Sequence, residues 1–127
     1  MTSLTIPEII EIHERQIAEH GGSPGIKNLG LLESAFFGCY QTFGSVELYP
    51  SITEKAARMA FAIGKNHPFN DGNKRVAVAT MLITLRINGI YLSFTQQELI
   101  TLGLGIADGS LKYDDILAWI KAHTPAN

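Results

Sequence analysis

His67-Pro68-Phe69-Asn70-Asp71-Gly72-Asn73-Lys74-Arg75, HPFNDGNKR, interrupts a chain that otherwise runs in apolar stripes at helical spacing. Before it, Ala56, Met59, Ala60 and Ile63 share one helical face. After it, Val78, Met81, Leu82 and Leu85 do the same. The nine residues therefore read as a bend between two packed helices. Ser51 or Thr53 suits the N-cap of the helix before the bend, and Asn88-Gly89 ends the one after it.

The same spacing continues outward. Ile6, Ile9, Ile10, His13 and Ile17 form a first stripe, with Pro7 in its first turn, Thr5 or Ile6 before it, and Gly21-Gly22 as its stop. GGSPG (21–25) is a turn. Leu32, Ala35, Phe36, Cys39 and Phe43 form a second stripe, closed by Gly44, and Gly44–Ser51 reads as a loop or small hairpin. Tyr91–Phe94 is a short extended link. Thr95-Gln96-Gln97-Glu98 is a capping box opening a helix with Leu99, Leu102 and Ile106, ended by Asp108-Gly109. Ile116, Trp119 and Ile120 mark a last helix, with Asp114-Asp115 complementing the dipole at its start. The expectation is an all-α bundle of about six helices forming one domain over residues 1–127.

Composition narrows the class. An apolar fraction of 46% supports a real core, and a net charge of -2 gives no overall attraction to nucleic acid or to an anionic membrane. The single cysteine, Cys39, permits no internal disulfide and fits a reducing compartment. No apolar run reaches the ~18 residues of a transmembrane helix, and the N-terminus lacks the basic region of a signal peptide. A cytoplasmic protein is expected, with no direct nucleic-acid partner and no membrane.

The bend also carries chemistry. A helix beginning near Gly72 or Asn73 presents amides without intrahelical partners, which form an anion site. Gly72 allows close backbone approach. Lys74 and Arg75 sit in the first turn, where cations oppose the helix dipole, and a bound anion would offset that misfit. Asp71 offers oxygen to Mg²⁺, and His67 titrates near neutrality and can take a proton from a hydroxyl. Together these are the parts that phosphoryl or nucleotidyl transfer needs. The plain alternative is a polar turn: Asp-Gly is a common turn pair, Asp71 could cap the next helix, and Lys74 and Arg75 could be solvated charges.

HPFNDGNKR resembles the signature of the Fic/Doc superfamily, His-x-Phe-x-Asp/Glu-Gly/Ala-Asn-Gly/Lys-Arg, and Lys74 is similar to the Doc branch of toxin–antitoxin toxins. The likeness extends to Gly21, Gly22, Pro24 and Gly25, to the stretch around Glu33, to Tyr49-Pro50-Ser51 before Glu54–Ala57, and to Asn88-Gly89. The resemblance implies an all-α Fic fold with a β-hairpin flap at Gly44–Ser51 that aligns the target by strand addition. It implies His67 as catalytic base, Asp71 as Mg²⁺ ligand and Phe69 as buried anchor. It also implies Gly72, Asn73 and Lys74 as the phosphate loop, with Arg75 holding the phosphates. Lys65 would supply a further cation where the branch has an arginine, and Ala79 departs from an asparagine near the phosphates. The implied activity is ATP-dependent phosphorylation of a protein hydroxyl, a threonine of elongation factor Tu, which inhibits translation. A cognate antitoxin would restrain it, since no inhibitory Ser/Thr-x-x-x-Glu-Gly/Asn helix is present. AMP transfer, favoured in the superfamily by glycine at the Lys74 position, is the alternative. A non-catalytic anion-binding module is the second.

Other residues are expected to be structural. His13 falls on a core stripe and reads as a satisfied or edge histidine; His20 and His123 have no spaced partner. Cys39 reads as inert packing, and Trp119 and the Phe36-Phe37 pair as core. No Cys or second His completes a zinc site with His67 and Asp71.

Overall fold

The computed structural model describes residues 1–126. Six helices follow one another, with one two-stranded hairpin between the second and third: α1 (Ile6–His20), α2 (Leu29–Gly38), β1 (Thr42–Phe43), β2 (Val46–Glu47), α3 (Ile52–Asn66), α4 (Asn73–Arg86), α5 (Gln96–Asp108) and α6 (Tyr113–His123). This is the expected all-α bundle of six helices with a small hairpin.

Local chemistry sets the helix starts. Thr5, Ser51 and Thr95 each accept a hydrogen bond from the amide three residues on, where a glutamate reaches back to the cap amide. These reciprocal bonds satisfy donors that the first helical turn leaves free. Gly109 ends α5 in the left-handed region, where a side chain is disfavoured.

Helix α3 is the hub, packed against α2, α4, α5 and α6, while α1 covers α4 and α2. Ala56, Met59, Ala60 and Ile63 of α3 are buried, as are Met81 and Leu85 of α4. The small residues let neighbours come close: a Cβ on Gly64 would sit 2.3 Å from Cγ2 of Ile106, so α5 lies directly on the end of α3.

Two expectations fail. Helix α2 stops at Gly38, so Phe43 does not extend its stripe; Phe43 lies on β1 and is 81% exposed. Cys39 and Tyr40 turn the chain, and the hairpin begins two residues before Gly44. Phe37 is 56% exposed, because the buried face of α2 is set by Leu32 and Ala35, whereas Phe36 packs against the core. Cys39 is buried, and burial pushes its thiol up to about 11, consistent with inert packing. No helix among the described residues is long and apolar enough to cross a membrane.

A polar clasp joins the far ends of α5 and α6. His123 Nε2 lies 2.7 Å from Glu98 Oε2, and Nδ1 lies 2.7 Å from the Trp119 carbonyl. Both partners only accept, so the ring is satisfied when doubly protonated. The Glu98 contact holds the His123 pKa above its ordinary 6.5. The same contact, with the Thr95 bonds, holds Glu98 down at about 2, from 4.5. The His123 contribution is complete below 6.5 and is lost as pH rises through its raised value; that of Glu98 is complete above 4.5 and is lost as pH falls through about 2. The clasp therefore stabilises most between 4.5 and 6.5. Glu98→Gln keeps an oxygen for the cap and removes the charge. Thermal unfolding should show it less stable than wild type inside that window, with the gap closing at alkaline pH; a pH-independent gap would contradict this account.

Candidate active site

The bend between α3 and α4 is a clamped loop. His67 caps α3 with φ 50 and ψ 59, and it is the one non-glycine at positive φ among the described residues. That turn takes its side chain off the α3 stripe and leaves it exposed at the head of the loop. Pro68 and Phe69 then bury themselves. Residues 24–28 run beside them: Lys27 and Asn28 amides donate to the Pro68 carbonyl at 2.8 and 3.0 Å, and the Asn70 amide donates to Gly25 at 3.1 Å. Asn70 Nδ2 donates to the Pro24 carbonyl at 3.0 Å. The GGSPG turn is thus a splint for the motif.

The loop is also tied to its own helix. Asn73 Oδ1 accepts from the Phe69 amide, and Asn73 Nδ2 donates to the Phe69 carbonyl, both at 3.0 Å. Its side chain is committed to the backbone, leaving its amide for a ligand. Gly72 caps α4 in the left-handed region, φ 74, without a side-chain cap, so Asp71 is not the cap. The first helical bond is Val76 N–H to Gly72 O, 3.0 Å. The amides of Asn73, Lys74 and Arg75 precede it and give the helix end its positive field.

Asp71 is oriented from both sides. The Ser23 amide donates to Oδ2 at 3.2 Å and the Gly72 amide to Oδ1 at 2.8 Å. These two bonds hold its carboxyl below the usual range, so it is ionised at neutral pH. A Cβ on Gly22 would sit 2.7 Å from Oδ2, so glycine there makes room for the carboxylate.

Gly64, His67, Asn70–Arg75 and Ala107 line a cleft of about 400 Å³. It gathers six of the seven residues expected to act as base, metal ligand or phosphate binder: His67, Asp71, Gly72, Asn73, Lys74 and Arg75. Lys65 lines a second cleft of about 400 Å³, which shares Gly64, His67 and Ala107 with the first. Its ammonium lies 5.7 Å over the Phe61 ring. His67 stands where the two clefts meet. Lys74 and Arg75 form no ion pair among the described residues. No group of three His, Cys, Asp or Glu able to hold a metal occurs there either. A lone ionised carboxylate fits Mg²⁺ arriving with phosphates and not a closed protein cage.

The hairpin is fixed at its base and free at its tip. Lys55 is only 3% exposed; its ammonium lies 2.9 Å from Glu47 Oε1 and also donates to the Tyr49 carbonyl. Phe43 and Val46, paired across the strands, remain 81% and 70% exposed.

Sequence reading assigned no site role to Ser23, Asn70 or His13. The glycine pair at 21 and 22 is the one local signal, and only the fold shows that Gly22 makes room for the Asp71 carboxylate. Asn73→Ala removes both ties to Phe69 in a part-buried loop and should cost about 2 kcal/mol of stability, measurable by urea unfolding; a loss near zero would show that the loop is held without it.

A model of the Fic/DOC family matches residues 3–85. The chain is similar to the protein kinase doc of Escherichia phage P1, 33% identical over 116 residues, or 91% of this chain and 90% of that protein. It is also similar to the toxin Doc of Mycolicibacterium smegmatis, 37% identical over 73 residues, or 58% of this chain and 56% of that one. The chain therefore belongs to the Fic/DOC family, on its Doc branch.

Proposed function

We propose that this protein is a Doc-type toxin that transfers the γ-phosphoryl group of ATP to a protein hydroxyl. The observation that carries the reading is the convergence on one cleft of an exposed imidazole, an oriented carboxylate and an uncapped helix end with two cations that form no ion pair among the described residues. The unpaired amides of α4, with Lys74 and Arg75, receive the phosphates. Asp71 would hold Mg²⁺, which neutralises charge on the phosphate oxygens. His67 accepts the proton of the attacking hydroxyl. The new O–P bond forms as the bond to the bridging oxygen breaks, and ADP leaves. Lys65, in the adjoining cleft, adds a cation on the other side of His67.

The exposed hairpin aligns the target segment by strand addition. The resemblance of the Lys74-bearing motif supports a threonine of elongation factor Tu as acceptor, with inhibition of translation in the cytoplasm as the outcome. For restraint by an antitoxin, a groove of about 430 Å³ between α1, α4 and α5 continues from Lys74 and Arg75 across Leu82, Leu99 and Ile100. An amphipathic helix bearing a carboxylate suits it.

Purified protein, elongation factor Tu and ATP labelled at either the α or the γ position separate the readings. Transfer of γ-label, with the mass of one phosphate added to the factor, is expected. Transfer of α-label with the mass of AMP would overturn the kinase reading, and γ-label on other proteins alone would reject this target. His67→Ala should slow transfer by about 10²–10⁴-fold; unchanged toxicity in cells would leave only an anion-binding module. Lys74→Gly should shift the reaction toward AMP transfer.

A further inference from the structure

One buried side chain reaches the loop from α1 and has no part in the chemistry above. His13 is 1% exposed. Its ring stacks on Phe69, with centroids 3.9 Å apart and planes 11° apart. Its Nε2 lies 2.8 Å from the Asp71 carbonyl oxygen. A carbonyl only accepts, so Nε2 carries the proton and donates. Among the described residues nothing else bonds that oxygen.

The Asp71 carbonyl and the Gly72 amide belong to one planar trans peptide and point in opposite directions. Turning the carbonyl to His13 therefore turns the Gly72 N–H away from it, and that N–H donates to Asp71 Oδ1 at 2.8 Å. Glycine in the left-handed region, φ 74, lets this peptide rotate with little steric resistance. A rotation would bring the carbonyl oxygen to where the N–H now points. Two oxygens carrying negative charge would then oppose each other, and the carboxylate would leave its place. His13 also packs against Gly72, with Nε2 3.7 Å from where a Cβ would stand.

We infer that His13 is a positioning residue for this site: by fixing the Asp71–Gly72 peptide it aims the carboxylate at the metal and sets the mouth of α4 for the phosphates. This rests on the nucleotide-binding reading above. The two histidines divide their duties. His67 is exposed to meet a substrate, whereas His13 is buried and acts only through the backbone.

His13→Phe keeps an aromatic ring for Phe69 and removes the donor, and His13→Gln returns an N–H donor. Two measurements apply to each: deuterium exchange at the Gly72 amide in ligand-free protein, and the KM values for Mg-ATP and for the protein acceptor. His13→Phe should speed Gly72 exchange and raise the Mg-ATP KM about 10-fold or more, leaving the acceptor KM and the α3 amides unchanged. His13→Gln should restore both. Wild-type exchange and wild-type Mg-ATP KM in His13→Phe would overturn the inference, as would an equal rise in both KM values with no rescue by glutamine. If His13→Phe does not fold, His13→Met fills the site without a donor and takes its place. If wild type binds no Mg-ATP, the functional reading falls, and Gly72 exchange still decides whether His13 holds the peptide.

Discussion

Phe69 is closed in on every side. Its ring lies under His13, and its amide and carbonyl both belong to Asn73. Around it the loop's backbone is bonded to residues 24–28, to Asp71's own side chain and to α1. Among the described residues the amides left over are that of Asp71 and those at the start of α4. A loop so fully occupied cannot collapse onto its own helix end, and the field of that end stays directed into the cleft. Such preorganised dipoles stabilise developing charge without first having to reorient.

Small residues decide what stands opposite. Gly64 brings α5 against α3, which makes Ala107 a wall of both clefts. The side chain of Lys74 runs along α5, where a Cβ on Gly103 would sit 3.4 Å from its Cγ and Cδ. The hairpin, gripped at its base by buried Lys55, leaves its apolar tip outward on the chain just before α3. The motif cleft and the hairpin are thus separate surfaces, and on the proposed reading the first takes the phosphate donor and the second the protein acceptor.

Much of this was legible in the residues because it is local. Capping boxes span three residues, and stripes repeat every three or four, so α1, α3, α4 and α5 could be placed from order alone. The end of α2 could not. Its apolar pattern continues through Phe43, and only the pairing of Thr42–Phe43 with Val46–Glu47 shows that the chain has turned. The motif's residue types pointed to the site, but not to what holds it. His13 and Asp71 are 58 positions apart, and Ser23 and Asp71 are 48 apart. A histidine on a core stripe has no local mark separating a filler from a strut. Asn73 illustrates the opposite case: counted among the phosphate residues, it spends its side chain on the neighbouring backbone.

Cys39 has a practical consequence. The chain has one sulfhydryl, buried at the C-terminal end of α2 and donating to the Phe36 carbonyl at 3.2 Å. Alkylating reagents attack the thiolate, and here it is both hidden and scarce. Covalent capture therefore has to wait for a molecule that has opened. The native fold thus contains its own clock for unfolding, readable by mass in a mixture or a cell extract without any introduced probe.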